Sequence, residues 1–305
     1  MFDSIIIRYG EIGIKGKNRY LFEKQLLDNI RDTLLYNKVE FRKIYRSQSR
    51  IIINFEKYEE LLKAINSLKS VFGIKSFSPA SKTNLDLNEI KDRALDIYDL
   101  KYKENNKIKK PSFRITTQRI NKKFILNSQE INQEVGAFIV ENRNAKVDLE
   151  NPEINIGIEI LDKAYLFLDK IYGLGGLPVS NNDFFVIELE NEDSLIASLL
   201  MMKRGLRPIF VLNNKNKIFL LKKIEPFYPK IKYEIIREDS KYYKNLKILI
   251  NSNRAVFISS VRKLNKKSIE KLEIMKKGFG FVLAPLILLD ENRIKNLKEL
   301  LKVKK

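Results

Sequence analysis

A multidomain chain that combines α/β and α+β units is what the sequence predicts, on three observations. Its 305 residues leave room for about two domains at ~150 residues each, and 44% hydrophobic residues supply enough apolar side chains for packed cores. Short β-branched runs alternate with stretches whose apolar residues recur every three to four positions. Beyond Pro178 the alternation of strand and helix becomes regular, the pattern of a mostly parallel, doubly wound sheet.

Each element follows from local chemistry. Ile5-Ile6-Ile7-Arg8 is a short β-branched strand. Asn18 is placed to cap a helix whose stripe is Phe22, Leu26, Ile30 and Leu34, with Lys24 and Arg31 on the opposite side. Arg50 to Phe55 reads as a strand, and Glu59 to Leu68 as a helix that ends before Gly73. Leu87 to Leu100 is helical, Lys101 to Lys110 is a basic connector, and Phe113 to Thr117 is a strand. Asn127 with Glu130 three residues on has capping-box spacing, opening a helix with Ile131, Val135 and Phe138 on one face.

Ile154, Ile156, Ile158 and Ile160 alternate with Asn155, Gly157 and Glu159, which predicts a half-buried strand with Glu159 toward solvent. Ala164 to Ile171 pairs with it as a hairpin, and Gly173 to Pro178 is a turn between domains. That turn lacks the spacing and the Lys-Ser/Thr ending of a phosphate loop. Later strands are expected at Phe184 to Leu189, Pro208 to Leu212, Leu246 to Ile250, Ala255 to Ser259 and Phe281 to Leu283. Helices are expected at Ser194 to Arg204, stopped by Gly205, and at Ser268 to Lys276 and Glu291 to Leu301.

Composition restricts the chemistry. With 0 Cys and 0 His, the chain has no disulfide, no thiolate or imidazole metal site, no Cys nucleophile or persulfide carrier, and no His general base. No apolar run approaches the ~20 residues that span a bilayer, and the N-terminus lacks a basic secretory flank, so a cytoplasmic protein without membrane contact is expected. The 58 Lys+Arg against 38 Asp+Glu give +20, which favours a polyanionic partner. Residues 1–178 carry 31 basic and 24 acidic side chains, residues 179–305 carry 27 and 14, so the excess is denser toward the C-terminus.

Three basic stretches mix Lys and Arg with groups that donate to phosphate oxygens. They give the candidate RNA-binding residues: Lys15, Lys17 and Arg19; Arg114, Arg119, Lys122 and Lys123; and Lys263, Lys266 and Lys267. Tyr9, Tyr20, Phe113 and Phe124 lie close by in sequence.

A family resemblance emerges from these segments. Arg8-Tyr9-Gly10-Glu11-Ile12, Lys15-Gly16-Lys17-Asn18-Arg19 and Phe22-Glu23 resemble the opening of the tRNA 4-thiouridine synthetase (ThiI) family. Ser128 to Asn132, Glu134 to Ala137, and Lys146 to Leu149 with Asn151-Pro152 resemble its THUMP domain. Gly175 to Val179 resembles the link that follows, while Met201 to Gly205 and Pro285 to Ile287 with Asp290 resemble pieces of its PP-loop domain. The resemblance implies a ferredoxin-like domain at 1–76, a THUMP domain at 77–178 and a doubly wound PP-loop domain at 179–305. It implies that tRNA is held by its acceptor stem and CCA end, and that ATP adenylates a uridine before a Cys persulfide delivers sulfur. By family analogy the chain forms a homodimer.

The third domain departs from that pattern. Where the family has S-G-G-x-D-S after a strand, this chain has Leu189, Glu190, Asn191, Glu192, Asp193 and Ser194. Glycines there let backbone N–H groups cradle phosphates. Here side chains intrude and Glu188, Glu190, Glu192 and Asp193 add negative charge, each repelling a phosphate charge ~4 Å away by about 4 kcal/mol at an effective dielectric near ~20. Ser259 to Lys267 puts a basic stretch where the family shapes its nucleotide site, and the persulfide Cys has no counterpart. The expectation is therefore a degenerate PP-loop: a tRNA-binding protein that is not an enzyme, with no catalytic residue, metal or cofactor, serving alone or beside a tRNA-modifying enzyme. The alternative is an active tRNA sulfurtransferase using ATP and Mg²⁺, with sulfur from an external donor or a partner subunit.

Overall fold

The computed structural model describes residues 2–104, 110–236 and 241–302. Along the chain these form β1 (Ser4–Tyr9), α1 (Arg19–Tyr36), β2 (Lys43–Ser47), β3 (Arg50–Asn54), α2 (Tyr58–Leu68), β4 (Ile74–Thr83), α3 (Leu87–Glu104), β5 (Phe113–Arg119) and α4 (Ser128–Arg143). There follow β6 (Ile154–Ile160), β7 (Ala164–Phe167), β8 (Ile171–Tyr172), β9 (Phe184–Glu188), α5 (Glu192–Lys203), β10 (Arg207–Leu212), β11 (Lys232–Ile235) and α6 (Tyr242–Ser252). The last elements are β12 (Val256–Ile258), α7 (Lys266–Phe279), β13 (Val282–Leu283) and α8 (Glu291–Leu300). The chain divides into two compact units: residues 1–9, 38–66 and 75–172, and residues 10–37, 67–74 and 173–305.

The first unit is built on an eight-stranded sheet in the order β2-β3-β1-β4-β7-β6-β5, with β8 also on β4. Its pairings are antiparallel at β1/β3, β2/β3, β4/β7 and β6/β7, and parallel at β5/β6. Ile90, Ala94 and Ile97 of α3 and Ile131, Val135 and Ile139 of α4 bury a common core with Ile115, Ile154 and Ile156 of the sheet. The helix face at i, i+4 and i+8 thus ends on Ile139, with the expected Phe138 only half-buried. The Asn127 box is complete: its side chain accepts from the N–H groups of Gln129 and Glu130, and Glu130 accepts from the Asn127 N–H. The connector expected at 101–110 begins later, because α3 runs on to Glu104; its residues 105–109 lie outside the described residues.

The second unit carries five parallel strands in the order β11-β10-β9-β12-β13, that is third, second, first, fourth, fifth along the chain. This is the doubly wound arrangement, with its switch point between β9 and β12. Alternate residues divide its two cores. Phe185, Ile187, Phe210, Leu212 and Ile258 pack with Leu195 and Leu199 of α5 and Ile294 of α8. Val186, Ile209, Val211 and Phe257 pack with Tyr242, Leu246 and Ile250 of α6 and Met275 of α7. Gly205 ends α5 at φ +93°, and Gly176 (φ +76°) lies where a Cβ would sit 2.3 Å from the Lys203 carbonyl oxygen. Leu26, Ile30 and Leu34 give α1 its buried stripe as predicted, while Phe22, expected to share it, is only half-buried.

Several local expectations are corrected. Leu246 to Ile250 is helix, not strand, because Tyr242, Leu246 and Ile250 recur every four residues and are buried together. Asn18 has helical backbone angles and makes no side-chain cap, since a 3₁₀ turn at Gly16–Asn18 already leads into α1. Glu159 and Gly157 are buried, because the sheet face opposite the helices is itself covered. The edge strand β11 went unpredicted: Lys-Tyr-Glu-Ile is exposed throughout, and four residues are too short for its Tyr233/Ile235 alternation to announce a strand.

Candidate functional site

The predicted basic residues fall into two groups, one in each unit. In the second unit Lys15 lies between the two short 3₁₀ turns before α1, Glu11–Ile14 and Gly16–Asn18, and Lys17 lies in the second. Lys15 Nζ stands 5.2 Å from the centre of the Phe22 ring, while Lys17 is exposed. Arg19 is partly engaged, its Nε donating to Glu23 at 2.7 Å. Lys263, Lys266 and Lys267 are exposed around the start of α7, whose cap is Asn265. Cations there oppose the helix dipole, so helix stability does not account for them.

In the first unit Lys122 and Lys123 are exposed in the turn after β5. The two arginines of that stretch serve the backbone: Arg119 Nη1 donates to the Phe124 carbonyl at 2.9 Å and Arg114 Nη1 to the Leu149 carbonyl at 2.7 Å. Beside them, Phe113 and Ile115 of β5, Gln129, Gln133 and Val140 of α4, and Leu149 line an open groove of about 520 Å³.

The β9–α5 turn occupies the switch point of the parallel sheet, where open α/β folds place ligands. Leu189 is buried and donates its N–H to the Val211 carbonyl. Asn191 caps α5, accepting from the N–H groups of Asp193 and Ser194, and the Ser194 hydroxyl oxygen accepts from the Glu190 N–H at 3.1 Å. The donors that would meet a phosphate are therefore already bonded.

The acidic charge expected around this turn is largely matched. Lys271 of α7 reaches Glu190 at 2.8 Å and Glu188 at 3.7 Å, and the Tyr242 hydroxyl donates to Glu188. Burial pulls the Lys271 ammonium down, but Glu190 and Glu188 hold it above the ordinary lysine value. Lys223 bonds Glu192 at 2.6 Å and lowers that carboxyl. The crevice formed by Glu188, Ser259, Ser260, Lys271 and Met275 is closed to a water-sized occupant. As it stands the turn does not fit a triphosphate. Sequence reasoning missed Lys271 and Tyr242, since a single Lys or Tyr on a helix gives no signal of a partner 81 or 54 residues away.

Among the described residues no group of three or more Asp and Glu could hold a metal ion, and no helix is long and apolar enough to cross a membrane.

Comparison with known proteins places this architecture. Residues 4–78 match the model of the ThiI ferredoxin-like domain, and residues 84–169 that of the THUMP domain. The chain is 40% identical over 212 residues to a protein of Thermococcus kodakarensis named probable tRNA sulfurtransferase, covering 68% of this chain and 55% of that protein. A protein of the same name from Caldanaerobacter subterraneus subsp. tengcongensis is 38% identical over 207 residues, 67% of this chain and 52% of its own. The chain thus spans about half the length of the curated relatives it matches. The crystal structure of PH1313 from Pyrococcus horikoshii OT3 superposes with a TM-score of 0.83 at 35% identity, over 97% of this chain and 98% of that one. A 4-thiouridine synthetase solved as an RNA complex with bound ATP shares the fold, with a TM-score of 0.77 at 24% identity over 98% of this chain and 85% of that one.

The fold class is accordingly a ferredoxin-like domain, a THUMP domain and a doubly wound PP-loop-type domain. The expectation that the chain is not an enzyme is overturned, because relatives at 38–40% identity are named as tRNA sulfurtransferases. The chain belongs to the ThiI family of THUMP-domain proteins.

Proposed function

We propose that the chain is a cytoplasmic tRNA sulfurtransferase that places sulfur on a uridine to give 4-thiouridine. The single observation that supports this most is the 40% identity, over 212 residues, to a protein named for that activity. The domains run over 1–76, 77–178 and 179–305. The first two hold the tRNA acceptor stem and CCA end. Lys15, Lys17, Arg19, Lys122, Lys123, Lys263, Lys266 and Lys267 supply phosphate contacts, together with Arg114 and Arg119, which also brace the backbone around them. Binding of this kind weakens steeply with salt, because each neutralised phosphate releases counterions.

These 305 residues contain no Cys, so the sulfur comes from a donor outside them, either inorganic sulfide or a partner subunit's persulfide. ATP with Mg²⁺ is the activating pair in this reading. The closed turn does not accommodate a triphosphate, and no step is assigned to it. The test is nucleoside mass spectrometry of tRNA from a host lacking its own 4-thiouridine synthetase. With the gene supplied, 4-thiouridine is expected to return; its continued absence, with the protein expressed and folded, would refute the proposal.

A further inference from the structure

The first unit holds a charge imbalance that neither its fold nor the basic stretches explain. Glu159 of β6 is 1% exposed and accepts from two arginines at once, Arg8 Nε at 2.5 Å and Arg50 Nε at 2.6 Å. Their side chains are only 9% and 10% exposed. Arg8 Nη1 goes to Ser78 and Arg50 Nη2 to Gln118. Arg8 Nη2 is buried and has no acceptor among the described residues. Two guanidinium charges thus share one carboxylate, leaving a buried excess of one positive charge.

More positive charge stands at the rim. The Phe167 ring lies against Gly157, where even a Cβ would come within 2.3 Å of it. Arg8 Cζ is 4.6 Å and Lys170 Nζ is 6.0 Å from its centre. Lys170 and Lys75 are exposed and form no ion pair among the described residues. Asp162 is bonded to the Ser47 hydroxyl, and Asp169 is exposed. The Lys170 ammonium is lowered first by partial desolvation on the side that faces the protein and then by repulsion from Arg8, with Arg50 and Lys75 adding to it and Glu159 opposing. An uncompensated buried charge is costly, and guanidinium with ammonium is the donor set that holds tetrahedral oxyanions.

We propose that Arg8, Arg50 and Lys170 form a binding site for one phosphate group, with Lys170 at its mouth and the buried arginine pair behind it. The phosphate belongs either to an RNA backbone or to a free inorganic anion. The RNA source rests on the tRNA reading above, and the free source does not.

The experiment compares thermal unfolding of the full chain in sodium phosphate and in sodium chloride at equal ionic strength, and titrates fluorescent tRNA in parallel. Lys170→Gln is the main variant, since the exposed side chain leaves folding intact, and Arg8→Lys is the second. Phosphate is expected to raise the melting temperature of the wild type by about 2–4 °C over chloride, and Lys170→Gln to lose most of that shift. Equal melting in the two salts would overturn the site. For RNA, Lys170→Gln is expected to weaken tRNA binding about 3–10-fold and reduce the salt slope by ~1. An unchanged slope with the phosphate shift lost would assign the site to the free anion. A phosphate shift in a wild type that binds no tRNA would refute the tRNA reading and leave the site standing.

Discussion

Glu159 in the first unit and Glu188 with Glu190 in the second are both carboxylates held by cations, and they are held differently. Glu159 is almost wholly buried beneath two arginines, so cation outnumbers anion. At the β9–α5 turn one lysine serves two carboxylates, and Lys271 and Glu190 are each about 40% exposed. Water screens the second arrangement and not the first. The same residue types therefore make a rigid, high-stakes junction in one unit and an adjustable surface bridge in the other.

The sharpest way to break this contrast is Glu159→Gln. Removing the shared carboxylate leaves two guanidinium groups buried without compensation, and a loss of about 3–5 kcal/mol is expected in chemical denaturation. A loss below about 1 kcal/mol would mean that water already screens the pair. Next in size is Asn191→Ala, which removes the cap of α5 and frees the N–H groups of Asp193 and Ser194. About 1 kcal/mol is expected from the same measurement, and no loss would show that the turn is held elsewhere.

Those two positions also show how much the sequence discloses. The Asn127–Glu130 box, the parallel sheet beyond Pro178 and the stripe of α1 were legible because each is a local pattern, set by residues within a few positions of one another. The role of Glu159 was hidden: alternation with four isoleucines placed it toward solvent, and only pairing with Arg8 and Arg50, 151 and 109 residues away, brings it inside. The nucleotide turn was half legible. Its strand, helix and intruding Glu190 and Asn191 could be read, but its neutralisation by Lys271 and Lys223 could not. Leu246 to Ile250 misled because a short apolar run fits strand and helix alike.

Smaller effects sharpen the surface side of the comparison. Lys271→Gln should cost less than about 1 kcal/mol, since a half-exposed bridge gives little net stability; a loss as large as that of Glu159→Gln would erase the distinction. The weakest effect is a pH dependence. Lys223 holds the Glu192 carboxyl below its ordinary value in the folded state. That contribution is present above the unfolded carboxylate value of about 4.3 and fades as pH falls through the lowered folded value. Melting temperature followed from neutral pH into that range should fall more for the wild type than for Lys223→Gln, and parallel curves would contradict the assignment.

The most direct measurement of the functional account is a reaction with the full chain, unmodified tRNA, ATP, Mg²⁺ and sodium sulfide, read by mass spectrometry of the digested nucleosides. The account predicts 4-thiouridine that depends on both the protein and sulfide. Protein that binds the tRNA under these conditions, yet yields no thiolated nucleoside with either sulfide or a persulfide-bearing partner, would contradict it.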